Sequence, residues 1–254
     1  MDIAEEEVLL DVTWTDAPQG WIATLVTATH NDIVERQLRP GTPLEFEVTE
    51  TRRCVGYTDA NHQHHLCPDH ATVDEGTQCY VCRQKDAQRD YIEGRTGAAR
   101  DGDHSVYLAQ CGSTVKVGVT RSQRLLKRWI EQGAVYAVEI ESGLSATDAL
   151  VREEELSKAG LTERIRKEQK LPLPDSPHLN EVMEEYDLVG DIISVLEKTV
   201  YPAPTTSSVQ RTDRVAGEVQ SVFGKLIEVP GQAFAVTPGR CIEPPQQTGL
   251  TDFE

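Results

Sequence analysis

The stretch His104–Ile130, HSVYLAQCGSTVKVGVTRSQRLLKRWI, decides the predicted fold of this 254-residue chain. Its first half contains two short apolar runs, 105–111 and 114–119, and the Gly112-Ser113 pair between them is typical of a tight β-hairpin. Its second half, from about 121 to 131, has the apolar spacing of an amphipathic helix. The stretch therefore predicts a hairpin followed directly by a helix.

The same stretch is basic, although the chain as a whole is strongly acidic. It holds several Lys and Arg residues and no Asp or Glu, whereas the formal net charge of the chain is -17. On a helix, Arg121, Arg124 and Arg128 would lie within an arc of roughly 60°. Three guanidiniums on one side of a helix are suited to binding phosphate. The alternative is an ordinary solvated face, but such faces normally include acidic residues.

A second helix is predicted at about 145–159, because Ser145-x-x-Asp148 is close to a capping box. Glu153 falls near the centre of the apolar face of this helix. A carboxylate there must be paired, protonated or bound to a metal, since burying it alone is expensive. Two interpretations stay open: an ion pair with Arg152 or Arg124, or a ligand for Mg²⁺.

Four cysteines in one window predict a structural zinc site. The Cys79-x-x-Cys82 spacing lets a tight turn present two thiolates to one tetrahedral metal. The predicted ligands are Cys54, Cys67, Cys79 and Cys82. A redox role for the closely spaced pair is disfavoured, because no βαβ pattern surrounds it.

Histidines crowd the same window, and any one could replace Cys54 or Cys67 as a ligand. The favoured interpretation is that they are solvent-facing loop residues: His62, His64, His65 and His70. The two remaining cysteines, Cys111 and Cys241, are predicted to be buried free thiols.

The flanking segments are predicted to be β-rich, so the fold class is α+β. Strands are expected within 8–29 and 43–50, and a third helix within 178–199. A small C-terminal β-unit is expected to pair with the N-terminal strands. The predicted units are 1–53 (β segment), 54–93 (zinc-binding cysteine module), 104–200 (α/β core with the following helix) and 211–254 (C-terminal β-unit).

Composition excludes a membrane-spanning role, because no apolar run approaches the ~18 residues that a membrane helix needs. The N-terminus lacks the basic and apolar regions of a signal peptide, so a cytoplasmic location is expected. The acidic surface repels phosphate at long range unless basic charge is concentrated locally. It also suits the acidic proteome of a high-salt cytoplasm, where salt screens such repulsion.

The hairpin and two helices resemble the GIY-YIG nuclease superfamily. Val106-Tyr107-Leu108 resembles the first strand motif, and Lys116-Val117-Gly118-Val119-Thr120 resembles the second. The helix at 121–131 resembles the arginine-bearing helix, and Ala149-x-x-x-Glu153 resembles the glutamate-bearing helix. The resemblance covers about 105–160 and implies a GIY-YIG-like α/β core.

A wider resemblance, running over most of the sequence, is to the uncharacterised family DUF2797. The motifs that carry it are Arg53-Cys54-x-Gly56, Cys67-Pro68, Gln78-Cys79-x-x-Cys82, Lys116-Val117-Gly118-Val119 and Glu131-Gln132-Gly133-Ala134.

The superfamily resemblance implies a mechanism. Tyr107 would help activate water or act as a general base, with Lys116 at the tyrosine position of the second motif. Arg124 or Arg128 would stabilise the charge that develops on the phosphoryl group. Glu153 would hold Mg²⁺ against the scissile phosphate. These side chains should converge within roughly 10 Å.

Three functions follow from this sequence. The first is a Mg²⁺-dependent endonuclease that hydrolyses DNA or RNA and contains a structural zinc site. The second is a zinc-containing nucleic-acid binding protein that has lost catalysis. The third is a scaffold or interaction protein that uses zinc and fold only for structure.

Overall fold

The computed structural model describes residues 5–61, 63–87 and 102–245. Parts of three predicted units lie outside these residues, namely 1–4, 88–93 and 246–254, as does His62. The strands are β1 (Glu7–Thr15), β2 (Ile22–Ala28), β3 (Ile33–Gln37), β4 (Pro43–Arg52), β5 (Tyr57–Thr58), β6 (His64–His65), β7 (His104–Cys111), β8 (Thr114–Arg121), β9 (Tyr136–Leu144), β10 (Ile193–Ser194), β11 (Val209–Gln210), β12 (Arg214–Glu218), β13 (Ser221–Phe223), β14 (Leu226–Val229), β15 (Gln232–Ala235) and β16 (Arg240–Glu243).

The α-helices of the described residues are short, and the predicted class, α+β, is confirmed. They are α1 (Tyr80–Lys85), α2 (Leu125–Gln132), α3 (Ala146–Lys158) and α4 (Leu179–Glu185), with 3₁₀ turns at Ser122–Arg124, Lys167–Lys170 and Leu196–Lys198. Among these helices, none has the length and apolar character needed to cross a membrane.

The largest sheet joins strands from both ends of the described chain. Its order is β12-β4-β16-β1-β2-β3. Strand β16 pairs antiparallel with β1 on one side and with β4 on the other. This confirms the expected pairing of C-terminal with N-terminal strands, and it gives β16 an interior position in the sheet.

The second sheet, in the order β10-β9-β7-β8, carries the predicted hairpin. Strands β7 and β8 pair antiparallel from His104 opposite Arg121 to Cys111 opposite Thr114, as predicted. Side chains of β7 alternate between two cores, the pattern of a strand covered on both faces. Val106 and Leu108 pack with α3 and α4, whereas Tyr107 and Ala109 pack with α2 and the six-stranded sheet.

Helix α3 begins as its sequence predicts. The Ser145 side chain accepts a hydrogen bond from the backbone N–H of Asp148, which satisfies one of the free donors at the helix N-terminus. Ala149 and Leu156 are buried against the β7–β8 hairpin.

The helix predicted at 178–199 is largely wrong, because α4 ends at Glu185. Asp187 has a left-handed backbone, with φ 51°, and this turns the chain out of the helix. Gly190 then lies so close to β9 that an added Cβ would be 2.5 Å from the Glu139 carbonyl oxygen. Packing against β9 therefore selects an extended chain, which continues into β10.

The prediction that three arginines share one helix is also wrong. Arg121 is the last residue of β8 and pairs with His104. The backbone N–H of Ser122 extends this pairing by bonding to the carbonyl of Asp103 at 2.9 Å. The α-helix therefore starts only at Leu125, after the 3₁₀ turn that holds Arg124.

We predict that Ile242→Ala lowers the free energy of unfolding by about 2–5 kcal/mol, the usual cost of this truncation in a core. Ile242 is 0% exposed in β16, whereas Ile33, in the edge strand β3 of the same sheet, is 41% exposed. Ile33→Ala is therefore the matched control and should cost less than ~1 kcal/mol. Urea denaturation measures both; equal losses would contradict the interior position of β16.

Candidate functional site

The four predicted cysteine ligands lie together. Their sulfur atoms are all within 4.8 Å of one another, and the sulfurs of Cys67 and Cys79 are 3.9 Å apart. Four sulfurs bonded to one tetrahedral zinc at ~2.3 Å would be separated by ~3.8 Å. The quartet could therefore hold a metal ion such as zinc. Its members are Cys54, Cys67, Cys79 and Cys82.

Backbone N–H groups support the sulfur of Cys54. It accepts a hydrogen bond from Cys79 N at 3.1 Å and from Gly56 N at 3.4 Å. Burial raises the pKa of Cys54, and these two N–H groups oppose that rise by favouring the thiolate. Without a cation, four thiolates this close would repel one another, so the cluster favours a divalent metal.

The histidines of this window have other partners. The ring of His65 stacks on Tyr57 with centroids 4.9 Å apart, and its Nε2 lies 2.9 Å from Asp59 Oδ2. His70 stacks on His30 at 3.7 Å. Among the described residues, the metal cluster consists of cysteines alone. The interpretation of the histidines as solvent-facing loop residues is wrong for His64 and His65, which form β6, and His65 and His70 are only partly exposed. Cys111 and Cys241 are buried free thiols, as predicted.

Tyr107 is buried between the hairpin and α2. It is 1% exposed, and its ring meets that of Trp129 edge to face, with centroids 6.1 Å apart. The Gln132 amide lies beside the phenol. In its better-paired orientation, the amide oxygen accepts from the Tyr107 hydroxyl at 2.9 Å and from Arg128 Nε at 3.0 Å. Gln132 thus holds the phenol and the guanidinium together.

Gly118 lies under the ring of Tyr107, its cross-strand neighbour. A Cβ at this position would lie 2.4 Å from the phenol oxygen and 2.5 Å from Cζ. The missing side chain leaves room for the phenol over β8, which is the edge strand of its sheet. The requirement for glycine is therefore steric and specific to the tyrosine.

Glu153 and Lys116 act on the same region electrostatically. Burial raises the pKa of Glu153, as does the nearby Glu163, while Lys116, the Val119 N–H and Arg128 favour its charged form. Burial lowers the pKa of Lys116, and Arg128 lowers it further. The Lys116 ammonium also donates to the Glu163 carbonyl at 2.7 Å.

The same charged side chains affect the pKa of Tyr107. Burial raises it, Arg128 and Gln132 lower it, and Glu153 raises it. A phenol with a raised pKa stays protonated at neutral pH and acts as a hydrogen-bond donor. Tyr107 and Arg128 share the Gln132 amide, and Lys116 and Glu153 act electrostatically on this pair; we call these four residues the Tyr107 cluster.

Arg124 lies outside this cluster. Its guanidinium is 3.6 Å from the Glu131 carboxylate, which also lies 3.8 Å from Arg128. Arg152, the other partner considered for Glu153, binds Glu141 and Glu155 instead. Neither arginine therefore forms an ion pair with Glu153 among the described residues.

Sequence reasoning missed two members of this region. The Gln132 amide carries no charge signal, so the sequence marks this residue only as part of a family motif. Lys170 donates to the backbone carbonyl of Gln132 at 2.6 Å, and burial lowers its pKa. Lys170 is 38 residues from Gln132 along the chain, and no local pattern indicated that the two would meet.

A cleft of about 640 Å³ lies between the cysteine module and strands β1 to β3. Its charged lining includes Asp11, Glu35, Asp86 and Arg83. Acids outnumber bases among these four, so the cleft is poorly suited to phosphate. The Tyr107 cluster does not line it.

Comparison with known proteins shows the family. The family model described as "Protein of unknown function (DUF2797)" matches residues 41–212. The chain therefore belongs to the DUF2797 family, as its motifs indicated. No curated protein and no solved structure matches the chain.

We predict that Gly118→Ala destabilises the protein by about 1–3 kcal/mol, the usual cost of overpacking. The reason is that the new methyl group would displace the Tyr107 ring. In a Tyr107→Leu background, which removes the ring, the same substitution should cost clearly less. Chemical denaturation of the four proteins gives this comparison. Equal costs in both backgrounds would contradict a steric role for the ring.

Proposed function

We propose that the protein is a metal-dependent nucleic-acid phosphodiester hydrolase, resembling GIY-YIG endonucleases, with a structural zinc site. The observation that carries the proposal is the Tyr107 cluster, in which Gln132 joins the phenol to the Arg128 guanidinium and Lys116 and Glu153 act electrostatically beside them. A phosphate bound there would meet hydrogen-bond donors and positive charge, the requirements of phosphoryl transfer.

Each side chain has a role in this proposal. Arg128 and Lys116 stabilise the negative charge that grows on the phosphoryl oxygens. Tyr107 is buried and its hydroxyl donates to Gln132, so in this proposal it positions Arg128 through that amide. The lowered pKa of Lys116 moves its amine toward the range in which a side chain can accept a proton.

Glu153 and Glu163 offer hard oxygen donors of the kind that Mg²⁺ prefers. Their proximity is supported by the effect of Glu163 on the pKa of Glu153. When bound, Mg²⁺ would polarise a phosphoryl oxygen and offset its charge. In this proposal, these two carboxylates would hold the metal that the superfamily resemblance implies.

The second candidate is a nucleic-acid binding protein without catalysis. It is favoured by Glu131, which lies 3.8 Å from Arg128 and 3.6 Å from Arg124. An arginine shared with a carboxylate has less positive charge to offer a phosphate. Cleavage assays separate the two candidates.

We predict that Glu153→Gln abolishes Mg²⁺-dependent cleavage of labelled oligonucleotides and raises the Tm of the metal-free protein at neutral pH. Removing an interaction with the reacting group typically costs about 100-fold or more in rate. The raised pKa of Glu153 means that the folded state binds its proton more tightly than the unfolded state. Stability is therefore lost as pH rises from 4.5 through the folded pKa, and glutamine removes that loss.

The matched control is Glu154→Gln, one residue along the same helix, where the carboxylate is exposed and pairs with Lys158. It should leave both cleavage and Tm nearly unchanged. Oligonucleotide binding without cleavage by the wild-type protein would support the second candidate. Cleavage that persists in Glu153→Gln would refute the assigned role of Glu153.

We also propose that the four-cysteine cluster holds zinc structurally. Four sulfur ligands leave no open position on a tetrahedral metal, which is typical of structural sites. Around the cluster, the core consists of a few apolar residues, including Val73, Tyr57 and Ala71. Metal bonds would stabilise a segment whose own core is this small.

We predict that the purified protein contains about one zinc per chain, measured by elemental analysis. Cys82→Ser should lose the metal and unfold at lower temperature. Cys111→Ser and Cys241→Ser are the controls, because these cysteines are equally buried but lie outside the cluster. Full zinc retention by Cys82→Ser would contradict the site.

A further inference from the structure

A second group of basic side chains lies outside the Tyr107 cluster. Arg52 ends strand β4, and its cross-strand partner is Arg240, the first residue of β16. Lys167 opens a 3₁₀ turn, and its ammonium donates to the hydroxyl of Thr237. Thr237 is tied to Arg240 by the turn that precedes β16, since Arg240 N donates to the Thr237 carbonyl.

Arg211 approaches the same turn from another strand. It follows Gln210, which pairs in parallel with Phe234 in β15. This register brings Arg211 level with Ala235, two residues before Thr237. Four cations from separate parts of the sequence therefore surround one turn: Arg52, Lys167, Arg211 and Arg240. We call them the Thr237 cluster.

The charges of the Thr237 cluster are not neutralised by carboxylates. Arg52 Nη2 donates to the Gly76 carbonyl at 2.7 Å, and Arg240 Nη1 donates to the Thr49 carbonyl at 2.9 Å. Within the described chain, none of the four cations forms an ion pair. The contrast is Arg53, next to Arg52, which binds Glu6 at 2.6 Å.

Two further observations favour an anion as the ligand of these cations. The Nε of Arg52 is buried and has no hydrogen-bond partner among the described residues; such a donor costs free energy. The pKa of Lys167 is lowered by burial and, beyond that, by Arg240, Arg211 and Arg52, while Glu168 opposes this shift. Mutual repulsion among cations in an acidic protein is relieved when they share an anion.

We propose that the Thr237 cluster binds backbone phosphates of a polynucleotide strand whose scissile phosphate lies at the Tyr107 cluster. This inference rests on the proposed function. The link is the 3₁₀ turn Lys167–Lys170, which has Lys167 in the Thr237 cluster and Lys170 hydrogen-bonded to the Gln132 carbonyl beside Tyr107. The Gly112 turn of the hairpin packs directly on this segment, at Gln169. One strand of nucleic acid could therefore contact both clusters.

The test is fluorescence anisotropy of a labelled single-stranded DNA oligonucleotide, without added Mg²⁺, over a series of salt concentrations. For single strands, each phosphate contact contributes a slope of about 0.7 to the plot of log K against log salt. We predict that the Lys167→Gln, Arg211→Gln double variant reduces the slope by about 1.4, because two contacts are lost.

The matched control is the Arg39→Gln, Lys198→Gln double variant. Both of its residues are exposed, and neither is among the cations that act on Lys167. Both double variants change the net charge from -17 to -19, so long-range repulsion is the same. The control should keep the wild-type slope, and thermal unfolding shows whether both variants remain folded.

A third variant, Arg128→Gln, separates this inference from the proposed function. Suppose that Arg128→Gln weakens binding, whereas the Lys167→Gln, Arg211→Gln double variant keeps the wild-type slope. The Thr237 cluster is then refuted as a binding site, and the proposed function survives. If only the Lys167, Arg211 variant changes the slope, the polynucleotide does not reach the Tyr107 cluster as proposed. If the wild-type protein does not bind the oligonucleotide, both proposals fail.

Discussion

The close approach of Tyr107 to Gly118 is the constraint on which the candidate site depends. Strand β7 is buried on both faces, so the hydroxyl of a tyrosine in its middle needs space and a hydrogen-bond partner. The absence of a side chain at Gly118 leaves room for the phenol over β8, the edge strand of the sheet. Gln132 then fixes the hydroxyl and Arg128 together. One small residue thereby lets a buried tyrosine share a hydrogen-bonded amide with the half-exposed Arg128.

The cysteine module and the six-stranded sheet are stabilised in different ways. The module around Cys54 has only a small apolar core, so sulfur–metal bonds would replace hydrophobic burial there. The six-stranded sheet is instead stabilised by joining distant parts of the chain, with β16 between β1 and β4. Arg53 lies where these two regions meet, since it follows β4, precedes Cys54 and binds Glu6.

Local patterns predicted the elements that local interactions determine. The hairpin, the Ser145 cap and the cysteine quartet depend on residues close in sequence or on a characteristic spacing, and all three are found. The predictions that are wrong concern segments whose conformation is determined by tertiary packing. The segment after Glu185 is extended because Gly190 fits against β9, and Arg121 joins a strand because the hairpin pairing continues past the apolar residues.

The same distinction explains which site residues the sequence could indicate. Tyr107 and Glu153 stand out as polar residues among apolar neighbours, whereas Lys170 and Arg240 reach their clusters only through long-range strand and turn packing.

The overall charge of -17 makes the placement of the cations more important than their number. At physiological salt, charges are screened beyond about 8 Å, so an approaching phosphate responds mainly to its nearest neighbours. Cations held by neutral carbonyl and hydroxyl oxygens, such as Arg52 and Arg240, keep their charge for a ligand. The field of cations paired with carboxylates, such as Arg214 with Glu45, is partly cancelled. A strongly acidic protein can therefore bind a polyanion at the few sites where it leaves basic side chains unpaired.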